Sequence, residues 1–279
     1  MHASTVARPG RYQDWSLDSI AFDAVRPAHL EQRPELLYLV GGASFVEIAS
    51  DLYTRNLVEF FNGDTEVQTW LQSHWQHEEV QHGMALRRYV HAAWPDFDWD
   101  SAYAGFFADY SPLCKAELLG PTRAMELAAR CVVETGTASY YTVLQRLSPE
   151  PVLRDLAGRI RADEIRHYKY FYHFFLAYAE RERLSRRQTW RVLWDRLREV
   201  DTEDAFFAFK HMTAIRHPGQ TFGADDYLAL RRMLVAMAKP LYPYKMAAKM
   251  FLKPLALNHF LQRAAVPLLS VGAKYLLAS

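Results

Sequence analysis

The chain has 279 residues, half of them apolar and 23% charged, which suits one large domain or two small ones with a well-packed soluble core and excludes extended disorder. Lysine and arginine number 33 against 32 acidic residues, a net charge of +1, so nucleic acid has no overall electrostatic reason to bind. That balance hides an asymmetry: residues 207–279 carry +8 and residues 1–206 carry −7, which makes the last quarter a basic module.

Residues 1–33 read as an N-terminal extension without an apolar stretch of signal-peptide length, and no later run reaches the ~18 uninterrupted apolar residues of a spanning helix. Secretion by that route and membrane integration are therefore not expected. Glycine and proline fall mostly between long apolar-periodic segments, so the chain reads as mostly helical. A first helix is predicted over 34–61, where Leu36, Leu37, Val40, Phe45, Ile48, Leu52, Leu57 and Phe61 recur at helical spacing. Asn62-Gly63-Asp64 ends it, and Thr65 is placed to cap a second helix that Trp94-Pro95 closes. Residues 95–119 lose the pattern and read as an aromatic-rich crossover. A third helix follows to Leu147, and Ser148-Pro149-Glu150-Pro151 turns into a fourth that runs to about Glu182. Pair, crossover, pair is the topology of a ferritin-like four-helix bundle, an all-α fold, over 34–182. Residues 183–279 form a helical C-terminal extension, with segments at 185–200, 202–211 and 224–238 and two short helices after Pro240 and Pro254. The two cysteines, Cys114 and Cys131, are too few for a disulfide framework and favour a reducing, cytoplasmic setting.

The chemistry lies on the four bundle helices. Helix two carries Glu79 and His82 in HEEVQHG, and helix four carries Glu164 and His167 in ADEIRHY. A three-residue step sets carboxylate and imidazole on one helix face, within reach of one metal or of adjacent metals. Helices one and three each contribute a lone mid-helix acid, Glu47 and Glu134, flanked by small and apolar residues. Uncompensated, such buried carboxylates cost several kcal/mol each, whereas two divalent cations neutralise all four glutamates. The intervals from 47 to 79 and from 134 to 164 are nearly equal, so in antiparallel hairpins the four positions share one height, roughly two dozen ångströms from the turns. One Glu from each of two helices plus Glu-x-x-His from the other two is the ligand set of di-iron or di-manganese carboxylate proteins.

The segments HEEVQHGMALRRYV and ADEIRHYKY resemble the Glu-Glu-Asn-Arg-His-Gly and Ala-Asp-Glu-Lys-Arg-His segments of acyl-acyl-carrier-protein desaturases. The resemblance implies that Glu79 and Glu164 bridge two irons, that Glu47 and His82 complete one, and that Glu134 and His167 complete the other. It also matches Thr137, three residues after Glu134, to a Thr of those enzymes. Asp163 corresponds to an acid that orients a ligand imidazole. Thr137 can donate toward iron-bound dioxygen, or simply bond a carbonyl of its own helix; Asp163 can equally be a surface acid.

These readings give a dioxygen-dependent di-iron oxidoreductase, a desaturase or monooxygenase acting on an unactivated carbon of an organic, acyl-chain substrate that is small or carrier-bound. Manganese fits the same ligand types. No flavin or nicotinamide fingerprint appears, so electrons come from an external donor, by resemblance a ferredoxin. The competing readings are an iron-handling ferroxidase and a metal-free helical module. Tyr141, Phe171, Trp75 and Leu86 sit at helical offsets from the ligands, as cavity walls or as plain core, and Cys131 borders the same stretch. Glu78 lies one residue off the metal face and is left out of the site. The basic tail suits an acidic carrier protein, an anionic membrane surface or an ordinary outer layer of helices, and a homodimer is compatible with the whole.

Overall fold

Caps divide the chain close to where its Asx, Thr and Pro residues stand. A computed structural model describes residues 15–115, 119–199 and 203–276. The start of the N-terminal extension, 1–14, a short piece of the crossover, 116–118, and the predicted helix ends at 200 and 202 lie outside the described residues. Every regular element among them is helical.

Three 3₁₀ turns lead into α1 (Glu35–Ile48) and α2 (Asp51–Phe60). The single helix expected over 34–61 is thus broken at Ala49-Ser50, directly after Glu47, where the backbone tightens into a Ser50 N–H to Glu47 carbonyl bond of 3.2 Å. By length and composition the stretch Glu35–Phe60 could also cross a bilayer, but 56% of its most apolar 18-residue window is buried inside the protein, as in a core helix. Gly63, at φ +88°, makes the turn that follows. Asp64, not Thr65, caps the next helix, accepting from the Val67 N–H at 3.2 Å; Thr65 is already its first residue. Then come α3 (Thr65–Trp70), a π-turn (Leu71–Trp75) and α4 (Gln76–Ala93), one nearly continuous rod whose register shifts just before Glu79.

The crossover is more ordered than its sequence suggests. It contains α5 (Trp99–Tyr110), capped by Asp98 on the Ser101 N–H at 3.0 Å. Trp99, Ala102 and Phe106 are its buried face, a helical period hidden by the aromatic residues around it. Next are α6 (Arg123–Leu147), capped by Thr122, and α7 (Pro151–Arg181), with Pro at the first helical position and Glu150 capping the Leu153 N–H at 2.9 Å. Helix α1 packs on α4, α6 packs on α7, and α4 meets α7.

The C-terminal segments wrap this bundle: α8 (Arg186–Glu199) lies on α6, and α9 (Glu203–Arg216), longer than predicted, packs on α1 and α5. Helix α10 (Ala224–Ala238) follows, then α11 (Tyr244–Leu252) on α6, and α12 (His259–Leu276) on α11. The last is an 18-residue helix, not a short one.

Two apolar cores fill the interior. One gathers Phe45, Leu86, Tyr89, Phe106, Leu156, Ile160 and Phe209; the other gathers Leu57, Trp75, Leu127, Cys131, Phe171, Phe175 and Phe251. Each fully buried Leu or Phe contributes about 1.5–3 kcal/mol, so these two clusters, and not any polar group between them, drive folding. On α4 and α7 the acids and histidines singled out above stand between residues of the two cores.

Candidate metal centre

Glu47 comes from α1, Glu79 and His82 from α4, Glu134 from α6, and Glu164 and His167 from α7. All six are buried. One donor atom from each of Glu47, Glu79, His82 and Glu164 lies within 4.8 Å of the others, and the same holds for Glu79, Glu134, Glu164 and His167. The two quartets share Glu79 and Glu164. The imidazole centroids of His82 and His167 are 5.9 Å apart.

The close approach of α4 to α1 depends on Gly83. A Cβ there would stand 2.7 Å from the Ile48 backbone nitrogen and 3.1 Å from the Glu47 Cβ, so any larger residue forces apart the helices carrying Glu47 and His82.

The imidazoles are held from outside by two carboxylates in a reciprocal pattern. His82 of α4 donates through Nε2 to Asp163 of α7 at 3.0 Å, and His167 of α7 donates through Nε2 to Glu78 of α4 at 2.7 Å. With Nε2 committed to its carboxylate, each ring that gives up its second proton presents an Nδ1 lone pair to the centre. Asp163 is buried and not a surface acid; Trp15 Nε1 donates to it at 2.7 Å, and the Trp15 ring stacks on His82. Arg166 bridges Asp163 and Glu78, the latter at 3.3 Å. Glu78 therefore belongs to the site that the face argument assigned to its neighbours alone. The signal was in the sequence: Glu78-Glu79 and Asp163-Glu164 are the same acid-acid step before Glu-x-x-His. Trp15, from the N-terminal extension, had no such signal.

Inside the cluster, Tyr141 donates to Glu47 and also lines the adjoining cavity. The Thr137 hydroxyl lies 2.7 Å from Glu164 Oε2, nearer than the carbonyls of Glu134 and Val133 at 3.2 and 3.4 Å; its one proton goes to the carboxylate. Trp75 and Phe171 pack on each other in one core, Leu86 in the other, and Cys131 is buried three residues before Glu134.

Electrostatics set the donors at odds. Burial, with the charges of Glu79 and Glu164 beside them, pushes the Glu47 and Glu134 carboxyls well above the usual carboxylate range. Glu164, despite its burial, is held low by the two imidazoles. His82 is pushed up to about 9: burial opposes its charge, but Asp163 and Glu164 outweigh it. Four buried atoms, Nδ1 of His82, Nδ1 of His167, Oε1 of Glu164 and Oε2 of Glu134, make no hydrogen bond, although Nδ1 of His82 is 3.2 Å from Glu164 and Nδ1 of His167 is 3.0 Å from Glu79. Such orphaned donors facing one another inside a protein need protons or cations between them. Carboxylate oxygen and imidazole nitrogen in two overlapping quartets fit two divalent transition-metal ions.

A cavity of about 200 Å³ reaches Glu47, Thr137 and Tyr141; its other walls include Val46, Tyr140 and Phe209. A larger one, about 560 Å³ beside Trp94 and Ile215, touches none of the cluster.

No protein-family model matches the chain, and no curated protein shows significant similarity to it.

Proposed function

We propose that the protein is a ferritin-like di-iron oxidase or oxygenase that oxidises an unactivated carbon of an organic substrate with dioxygen. The observation that carries this reading is the pair of overlapping quartets sharing Glu79 and Glu164, with both Nδ1 atoms buried there without a hydrogen-bond partner. In it, Glu47, Glu79, His82 and Glu164 hold one ion and Glu79, Glu134, Glu164 and His167 the other. A bound iron pair supplies two-electron reduction of dioxygen at a site able to abstract hydrogen, and manganese suits the same donors.

The chain's own residues supply confinement and orientation. Asp163 and Glu78 hold each imidazole in the tautomer that leaves Nδ1 free, as carboxylates behind metal-bound histidines do. Tyr141 fixes the outer carboxylate Glu47, and Thr137 donates to Glu164 from the cavity side, where its hydroxyl oxygen can still accept from a guest. The cavity that holds benzene in an engineered protein measures about 150 Å³, so the space here admits one ring or a short acyl segment at a time. This apolar access favours organic oxidation over iron storage. Electrons would come from an external donor such as a ferredoxin, in the cytoplasm.

The test is metal analysis of purified protein together with dioxygen consumption after reduction, for wild type and Glu134→Ala. Two redox-active ions per wild-type chain, fewer in the variant, and dioxygen uptake coupled to oxidation of an organic compound support the proposal. Negligible metal in folded protein would overturn it; iron oxidation with no organic product would turn it into a ferroxidase.

A further inference from the structure

Helix α12 exposes a row of large apolar side chains. Phe260 is 80% exposed, Leu268 74%, Val271 55% and Leu261 49%, and Ala264 and Pro267 lie on the same exposed face at helical spacing. The side turned to the protein includes Gln262, Ala265, Val266, Leu269 and Ser270. Lone exposed apolar residues are ordinary, but a contiguous stripe along one helix marks an interaction surface.

The charges around it point to the kind of partner. Between Tyr227 and the last residue the sequence has eight Lys or Arg and no Asp or Glu. Arg263 and Lys274 flank the stripe on α12, and Lys245, Lys249 and Lys253 stand exposed on the adjoining turns of α11 and beyond it. Among the described residues none of these five pairs with a carboxylate. A helix with a broad apolar face, flanking cations and no acids is what lies in the boundary between headgroups and acyl chains. A second copy of the chain would set these cations against their own kind. An acidic carrier protein would pair with the cations but leave Phe260 and Leu268 in water.

We propose that the exposed face of α12 docks the protein on an anionic lipid surface, with Phe260, Leu261, Leu268 and Val271 entering the interface and the flanking cations on the headgroups. Helix α12 supplies none of the six centre residues, so this inference stands or falls apart from the metal reading.

The experiment is flotation of the full-length protein with phosphatidylcholine vesicles, with and without phosphatidylglycerol, at low and high salt. Wild type should float with the phosphatidylglycerol vesicles alone, less so at high salt. Phe260→Glu/Leu268→Glu should lower its partitioning by about tenfold or more, and Arg263→Glu/Lys274→Glu should do the same through charge. Circular dichroism and metal content check that each variant is folded; should the first misfold, the second, confined to exposed polar positions, decides. The inference is overturned if wild type does not float with anionic vesicles, or if a folded variant of either pair floats as wild type does. It is equally overturned if wild type is a dimer that Phe260→Glu/Leu268→Glu splits without any vesicle binding, or if it binds an acidic carrier protein and no vesicle.

Discussion

Glu78 and Asp163 show how much of the centre depends on residues that would touch no metal. Each accepts from the imidazole of the facing helix, and each is held low by that imidazole and Arg166 against the opposing effect of burial. Removing Glu78 frees the His167 ring to take the other tautomer or rotate. Glu78→Ala should weaken cation binding about 10–100-fold, and Glu78→Gln, which still accepts at that position, should recover part of the loss. Anaerobic titration of metal-free protein with ferrous or manganous ion measures both; equal affinities for Glu78→Ala and wild type would remove the orienting role. The same residues set a pH dependence. In the metal-free protein His82 keeps its proton up to about pH 9, and Glu47 and Glu134 keep theirs above the ordinary carboxylate range. A cation must displace those protons, so its affinity should fall as pH falls below about 9 and level off above that for the His82 contribution. Proton release on adding metal to lightly buffered protein checks the sign, and its absence would contradict the competition.

At the scale of elements, two glycines on the bundle helices should respond in opposite ways to the same change. Gly83 lets α4 close on Ile48 and Glu47, whereas a Cβ at Gly136 of α6 meets nothing within 4 Å. Gly83→Ala should destabilise the protein by about 1–3 kcal/mol and, on the proposed reading, loosen metal binding, because the two helices it would push apart carry Glu47 and His82. Gly136→Ala should stabilise it by about 0.5–1 kcal/mol, through helix propensity alone. Urea denaturation of both, read together, distinguishes packing from propensity. The long rods α6 and α7 were legible because turn residues bracket uninterrupted apolar periods. The break at Ala49-Ser50 and the π-turn at Leu71–Trp75 were not: neither has a Gly or Pro to mark it. Helix α5 was missed because nearly every position that could have shown a polar face is aromatic or small.

Across the whole molecule the centre lies between two apolar cores, so like-charged carboxylates are forced together by folding energy gained elsewhere. Cations that bind only the folded chain should then stabilise it. At about a hundred times the dissociation constant the gain is about 2.7 kcal/mol, and a chelator should lower the melting temperature of wild type by more than that of Glu134→Ala, which keeps only the quartet without Glu134. Calorimetry with and without chelator reads this, and an unchanged wild-type transition would mean that the cluster is stable on its protons alone.

The sequence by itself determined the helical class, the order of the rods and the six centre residues, because periodicity, capping and the i, i+3 step are local properties of a helix and need no partner to be seen. Only the tertiary structure decided that the quartets overlap at Glu79 and Glu164, that Glu78 crosses to His167 while Asp163 crosses to His82, that Trp15 reaches Asp163 from far away in the chain, and that the apolar stripe of α12 stands exposed among the described residues. Each of those depends on how distant helices are rotated and how closely they approach, and that is set by packing between segments, which no single segment encodes.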